Sequence, residues 1–230
     1  MKFNKIILWG ASSQSLIAEK MINEGMCFID KVVLQKPKIS YLVDPFIDEP
    51  KSKKVPLIKD KKKFESIIYS IPYFLVCIGG HHGMARTTIS KKLIKLGLKP
   101  ISIVSSHSFI DNTVKVGRGV QVMPNCVVNC YSKIGDFSIL NSSSTIDHEC
   151  ELGKGTHIMG GASIAGRVKI GKYVTIGTNA TILPDLKIAD GAYIGAGAVI
   201  TKNVKKNEVV AGNPGKFIRM NQHDCDLSFF

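Results

Sequence analysis

Every sixth residue from Val104 to Ile200 is aliphatic, seventeen positions without a break: Val104, Ile110, Val116, Val122, Val128, Ile134, Leu140, Ile146, Leu152, Ile158, Ile164, Ile170, Ile176, Ile182, Ile188, Ile194 and Ile200. A helix repeats every 3.6 residues and a strand every 2, so neither alone generates a strict period of six, and the hexad itself is the structural unit. Four residues after the aliphatic the side chain is small or modest, as at Cys126, Ser132, Ser138, Ser144, Cys150, Thr156, Ala162, Ala180, Ala192 and Ala198. Glycine often follows the aliphatic directly, at Gly135, Gly153, Gly171, Gly177 and Gly195, and is expected to serve the bends. One large and one small inward position per short strand predicts a triangular parallel β-solenoid with three hexads per turn. Residues 18 apart then stack, ~4.8 Å from coil to coil.

A chain of 230 residues is long enough for two cores, and the repeat divides it into residues 1–103 and 104–230. The net charge of +13 is uneven: the first part carries 18 basic and 8 acidic side chains, the second 13 and 10. Lysine runs at Lys51, Lys53, Lys54 and at Lys59, Lys61, Lys62, Lys63 read either as solvated surface or as a field that draws phosphorylated small molecules. They have no interleaved aromatics and no accompanying binding motif, so a nucleic-acid partner is not expected. The six cysteines form no C-x-x-C pair, and Cys126 and Cys150 take small inward positions; all six are expected to be reduced thiols in a cytoplasmic protein. Met1 leads directly into a strand without the apolar stretch of a signal peptide, and no segment nears the ~20 apolar residues that span a bilayer, so no membrane partner is expected.

In the first part, residues 5–9 (KIILW) read as a buried strand and residues 10–15 (GASSQS) as a turn into a helix that runs to about Glu24, with Leu16, Ile17, Met21 and Ile22 expected on its buried side. A glycine-led turn at a helix N-terminus presents free N–H groups and the positive dipole end to an anion, although the full G-x-G-x-x-G fingerprint is absent. Strands at 39–43, ending at Asp44, and at 73–78, ending at Gly79 and Gly80, then a helix from about Arg86 to Leu96, complete a small Rossmann-like half. Such sheets bind ligands at the carboxyl ends of their strands, which gathers Gly10, Ser12, Ser13, Gln14, Asp44 and Gly79 around one crevice. Asp44 reads equally as a strand-end turn residue.

The densest chemistry lies in residues 147–150 (DHEC). With Ile146 and Cys150 pointing inward, His148 falls on the outer surface between Asp147 and Glu149, an arrangement suited to a general base. One turn on, 18 residues later, stands Gly166, whose unshielded N–H is positioned to hold a developing oxyanion. Three histidines in the solenoid, His107, His148 and His157, lack the closely spaced pair of a zinc site, so no metal is expected.

The hexads resemble those of the hexapeptide-repeat acyltransferases, which implies a small Rossmann-like α/β N-terminal domain followed by an all-β C-terminal left-handed parallel β-helix. More narrowly, the chain is similar to the sialic acid O-acetyltransferase type, a family that includes bacterial nucleotide-sugar N-acetyltransferases. The first turn of that family reads G-A-S-G-H-G; here it is Gly10, Ala11, Ser12, Ser13, Gln14, Ser15, with Gln14 in place of histidine. The resemblance implies that Gly10, Ser12, Ser13, Gln14, Asp44, Pro45 and Gly79 hold the nucleotide of the substrate. It also implies that His148 is the proton acceptor and Glu149 its supporting acid, and that His157, Gly166, Thr178 and Ala196 contact acetyl-CoA. Residues 209–216 (VVAGNPGK) resemble the family's V-x-G-x-P-A-K ending at the adenine end of the donor groove, with Gly215 where alanine is usual; Lys216 and Arg219 read as phosphate contacts or as plain surface charge.

The function implied is acetyl-CoA-dependent N-acetylation of a UDP-, GDP- or dTDP-linked 4-amino-4,6-dideoxy sugar in bacterial glycan biosynthesis. It proceeds by direct attack in a homotrimer whose donor groove and acceptor site lie between solenoids. O-acetylation of sialic acid or a related sugar is the alternative among enzymes, and a non-catalytic solenoid that binds a sugar nucleotide is the alternative outside them. Residues 221–230 match nothing in the family.

Overall fold

The computed structural model describes residues 4–29, 32–35, 37–222 and 228–230. In chain order the front part holds β1 (Asn4–Trp9), α1 (Ser13–Asn23), β2 (Cys27–Ile29), β3 (Val32–Val33), β4 (Pro37–Val43), β5 (Leu57–Ile58), α2 (Lys61–Ile67), β6 (Tyr73–Val76), α3 (Gly83–Lys95), β7 (Lys99–Pro100) and β8 (Ser102–Val104). A parallel sheet of order β5-β4-β1-β6-β7 forms its centre. β1 is apolar throughout its inner length because both of its faces are covered, as central parallel strands require. Ile7, Trp9, Phe74 and Val76 face α2 and α3, whereas Ile6, Leu8, Leu75 and Cys77 face α1 and the solenoid.

One expectation for this part is corrected. Leu16 and Ile17 are exposed, at 47% and 43%, and α1 instead buries Ser15, Ala18, Glu19, Met21 and Ile22. Positions 15, 18, 19 and 22 follow the i, i+3, i+4, i+7 stripe; small residues at its start let the helix lie close to the sheet, which turns the two large aliphatics outward. The lysine run at residues 59–63 is exposed along its length. It opens α2, with the Asp60 carboxylate accepting from Lys63 N–H at 2.8 Å as N-cap, and Phe64 supplies the buried contact.

From β8 onward, two-residue strands recur every six residues and pair in parallel with a register of 18. Gln121 pairs with Ile139 on the first face, Thr145 with Ser163 on the second and Glu151 with Lys169 on the third. The inward positions close along the coil: Ile146, Cys150, Ile158, Ala162, Ile176 and Ala180 have no exposed surface. The bends differ from expectation. The residue in left-handed conformation is the third after the aliphatic, at Asn125, Tyr131, Phe137, Ser143, Glu149, Gly155, Gly161, Arg167, Tyr173, Asn179 and Asp185. The glycines that directly follow the aliphatic answer to stacking instead: a Cβ on Gly135 would lie 2.5 Å from the Gly153 carbonyl carbon, and one on Gly153 2.6 Å from that of Gly171. A terminal hairpin, Glu208–Ala211 with Lys216–Met220, ends the first face.

The three faces carry different outward columns. The third shows Lys115, Lys133, Glu151, Lys169 and Lys187; the second shows Phe109, Val127, Thr145, Ser163, Thr181 and Val199, without charge. The first shows Gln121, Ile139, His157 and Thr175, all buried because the front sheet docks on them. Pairing crosses residue 103 as well, since β2 joins β8 and extends this face. Arg86 of α3, fully buried, ties the two parts together: its guanidinium donates to the carbonyls of Phe137, Ile78 and Gly155 at 2.7, 2.7 and 3.0 Å. Burial without a carboxylate partner pushes its pKa down to about 9. No helix among the described residues is long and apolar enough to cross a membrane.

Candidate active site

Two separate places gather the residues singled out in the sequence. One is a crevice of about 690 Å³ at the carboxyl ends of the front strands, lined by Gly10, Ser12, Ser13, Gln14, Asp44, Pro45 and Gly79. Gly10 has φ +107°, and a Cβ there would meet the Cys77 carbonyl oxygen at 2.6 Å, so the turn into α1 needs glycine on both counts. Ser12 is the N-cap of α1, an 11-residue helix whose first residues, Ser13 and Gln14, line the crevice. Asp44 is largely spent on structure: its carboxylate oxygens accept from Ala11 N–H and Phe46 N–H, each at 3.0 Å, which fixes the two loops that flank the crevice. Gln14 is also engaged, donating to Gln121 Oε1 at 2.8 Å, while Gln121 donates to the Val76 carbonyl at 2.9 Å. The residue that replaces the family histidine thus clamps the front turn to the solenoid.

The other place is an open corner of the coil. His148 Nδ1 lies 3.0 Å from Glu149 Oε2, and the two side chains are 39% and 54% exposed. The carboxylate holds the proton on Nδ1 and leaves Nε2 as the acceptor. Glu149 reaches this position because it is the left-handed residue of its bend, at φ +60°. Asp147 does not touch the ring; its Oδ1 accepts from His148 N–H at 2.7 Å and from Asn129 Nδ2 at 3.0 Å. Those two hydrogen bonds hold its carboxyl below the usual range. Directly above, a Cβ on Gly166 would lie 2.6 Å from His148 Nε2. The ring therefore rests over the Gly166 backbone, and any side chain there would displace it. On the next bend Arg167 pairs in bidentate fashion with Asp185, at 2.6 and 2.8 Å.

His157, Thr178 and Ala196 lie elsewhere. Thr178 and Ala196 stack with Ser142 and Gly160 on a different corner, as the hydrogen bonds Asn179 N to Gly160 O and Gly197 N to Thr178 O establish. This corner and the His148 corner bound the uncharged second face, six residues apart along one edge, at most about 20 Å. His157 is 4% exposed under the front loop, with Nδ1 donating to the Gly80 carbonyl at 2.8 Å and Nε2 buried without a partner. Burial, with the charge of Arg86, depresses its pKa to about 4. Sequence reasoning missed Phe46, His82, Phe229 and Phe230 in the crevice lining. Nothing in the residue pattern pointed to them, since they come from loops and from a segment outside the repeat.

Five described cysteines, Cys27, Cys77, Cys126, Cys130 and Cys150, are free, and burial pushes Cys27 up to about 12 and Cys150 to about 11. Cys225 lies outside the described residues. No group of three or more metal-ligating side chains occurs among the described residues.

With this geometry, the class is a hexapeptide-repeat left-handed β-helix protein with an α/β front domain. Residues 149–184 and 167–202 match the family described as bacterial transferase hexapeptide (six repeats). A comparison with curated protein sequences finds no match. The chain is similar in structure to a histidine-to-asparagine variant of perosamine N-acetyltransferase from Caulobacter crescentus in complex with CoA and GDP-perosamine, with a TM-score of 0.84, 20% identity, and coverage of 95% of this chain and 98% of that one. It is also similar to the acetyltransferase domain of PglB from Neisseria gonorrhoeae in complex with acetyl coenzyme A (TM-score 0.81, 25% identity, 94% and 100% covered). A third similar structure is WeeI from Acinetobacter baumannii (0.78, 25%, 93% and 99%).

Proposed function

We propose that this protein is an acetyl-CoA-dependent N-acetyltransferase that acts on the amino group of a nucleotide-linked amino sugar. The observation that carries the reading is the His148 corner, an imidazole oriented by Glu149 with its free Nε2 over Gly166. On this reading the sugar amine attacks the thioester carbonyl carbon, and a C–N bond forms as Nε2 takes the amine proton. Gly166 N–H donates to the oxyanion. Collapse breaks the C–S bond, and the departing thiolate of coenzyme A receives the proton from His148, so no covalent acyl-enzyme is needed.

The front crevice, with a glycine turn at the N-terminus of α1, suits the diphosphate of a nucleotide sugar better than a free sugar. On the donor side, the stacked small residues Ser142, Gly160, Thr178 and Ala196 leave backbone within reach of a pantetheine arm. His157, buried under the front loop, offers that arm no accessible ring atom. Because Thr178 and Ala196 occupy another corner than His148, one complete site needs two copies, and a homotrimer packed through the uncharged second face is the proposed assembly. We infer a cytoplasmic location, in keeping with the free thiols among the described residues.

The test is coenzyme A release from acetyl-CoA against UDP-, GDP- and dTDP-linked 4-amino-4,6-dideoxy sugars, with free sialic acid as comparator. Turnover of one nucleotide sugar is expected and identifies the base. Turnover of sialic acid alone moves the reaction to O-acetylation, and silence across the panel from a well-folded trimer favours a longer acyl donor or the non-catalytic reading.

A further inference from the structure

The front crevice has a wall that the repeat and the Rossmann-like half do not supply. Trp9, the one tryptophan in the chain, ends β1 immediately before the Gly10 turn. The Phe230 ring lies parallel to it, with centroids 4.8 Å apart and planes at 11°, and Phe229 meets it edge-on at 5.2 Å. Phe64 of α2 closes a second edge at 5.6 Å and also meets Phe229 at 5.6 Å. Lys92 Nζ of α3 sits 4.7 Å over the outer face of this cluster, on the Phe230 ring. Residues far apart in the chain thus build one aromatic block between α2 and α3, and Trp9 is left 4% exposed.

Phe229 and Phe230 line the crevice together with Asp44, Pro45 and Phe46. They also line a second groove, of about 520 Å³, with Lys61, Phe64, Lys92 and Lys95. The pair therefore borders both hollows. A nucleobase is a flat apolar ring with polar edges, and sites for it combine aromatic surface with nearby anion-binding backbone. Here the aromatic block adjoins the Gly10 turn directly.

We propose that Phe229 and Phe230 are nucleotide-specificity residues: Phe229 and the edge of Phe230, whose faces Trp9 and Lys92 cover, form the wall against which the base of the nucleotide sugar packs. The inference rests on the nucleotide-sugar reading above. The pair positions the acceptor and takes no part in proton transfer, so its loss acts on acceptor binding and leaves the His148 chemistry intact.

The lone tryptophan gives a readout independent of turnover. In the intact protein, titration with GDP, UDP and dTDP is expected to change Trp9 emission saturably for the preferred base. In the double variant Phe229→Ala/Phe230→Ala the dissociation constant should rise roughly tenfold. KM for the nucleotide sugar should rise alike, while kcat and the KM for acetyl-CoA stay within twofold. Phe229→Leu/Phe230→Leu keeps an apolar cover without flat rings and should lose affinity too, which separates recognition from folding. Unchanged affinity in both variants makes the pair a structural cover and overturns the proposal. Tighter binding overturns it in favour of a segment that competes with the nucleotide. If no nucleoside diphosphate moves Trp9 emission or inhibits the intact protein, the nucleotide-sugar reading itself falls, and the wall with it.

Discussion

His148 and His157 stand nine residues apart in the same solenoid and have opposite surroundings. His148 is on an open corner, with a carboxylate at Nδ1 and a free Nε2 over glycine. His157 is on the docked face, with a backbone carbonyl at Nδ1 and a neutral ring held so by burial. The hexad places them differently, His148 at the bend after Ile146 and His157 in the strand before Ile158, and the front domain covers only the second, so one imidazole stays open to solvent and the other is a buried acceptor. The comparison teaches that in a solenoid the repeat supplies positions, and the partner packed on each face assigns their chemistry.

The strongest way to sharpen the contrast uses the two corners. His148→Ala and Ala196→Trp are each expected to be inactive, one for want of the base and the other through a blocked groove. If sites form between copies, random mixed trimers should regain about a quarter of the intact sites, measured as coenzyme A release. No recovery would mean that one chain holds the whole site.

Docking is tested next through Arg86. Arg86→Met removes donors from three buried carbonyls and should lower stability by about 3 kcal/mol in urea unfolding. A loss under about 1 kcal/mol would show that the clamp is dispensable. Gly166→Ala should reduce kcat by roughly 10- to 100-fold with melting temperature nearly unchanged, because the new methyl group displaces the His148 ring rather than any core atom. Full activity would mean that the contact over Gly166 is not used.

The smallest effect belongs to His157 and depends on pH. Its folded pKa, about 4, lies below the ordinary histidine value, so above about pH 6.5 both states are neutral and the group contributes no slope. As pH falls below that value the unfolded chain binds a proton that the folded chain refuses, and stability drops until about pH 4. Between about pH 7.5 and about pH 5 the intact protein should lose up to about 2 kcal/mol more than His157→Gln, read from urea midpoints. Equal losses would mean that the ring is protonated in the folded state.

The solenoid was legible in the sequence because each hexad repeats one local rule, and the register of 18 that sets Gly166 over His148 follows by addition. The explanation of its glycines was not legible, since close approach between coils is a relation between distant residues. In the front part the strands could be read from apolar runs, but the buried face of α1 could not. There Ser15 and Ala18 decide the packing through smallness, and hydrophobicity favours the wrong pair, Leu16 and Ile17. Six crevice positions were predicted together because strand ends converge by rule, and Pro45 came from the family resemblance alone. Phe229 and Phe230 were invisible because nothing in their neighbours foretells a return to Trp9.

The measurement that bears most directly on the account is acetyl transfer by His148→Ala with the preferred nucleotide sugar, beside its melting temperature and its Trp9 response to nucleotide. The side chain leaves the core untouched, so the account predicts a loss of roughly 10²- to 10⁴-fold in kcat with folding and nucleotide binding retained. Full activity in His148→Ala would contradict the role of the open corner and with it the proposed chemistry.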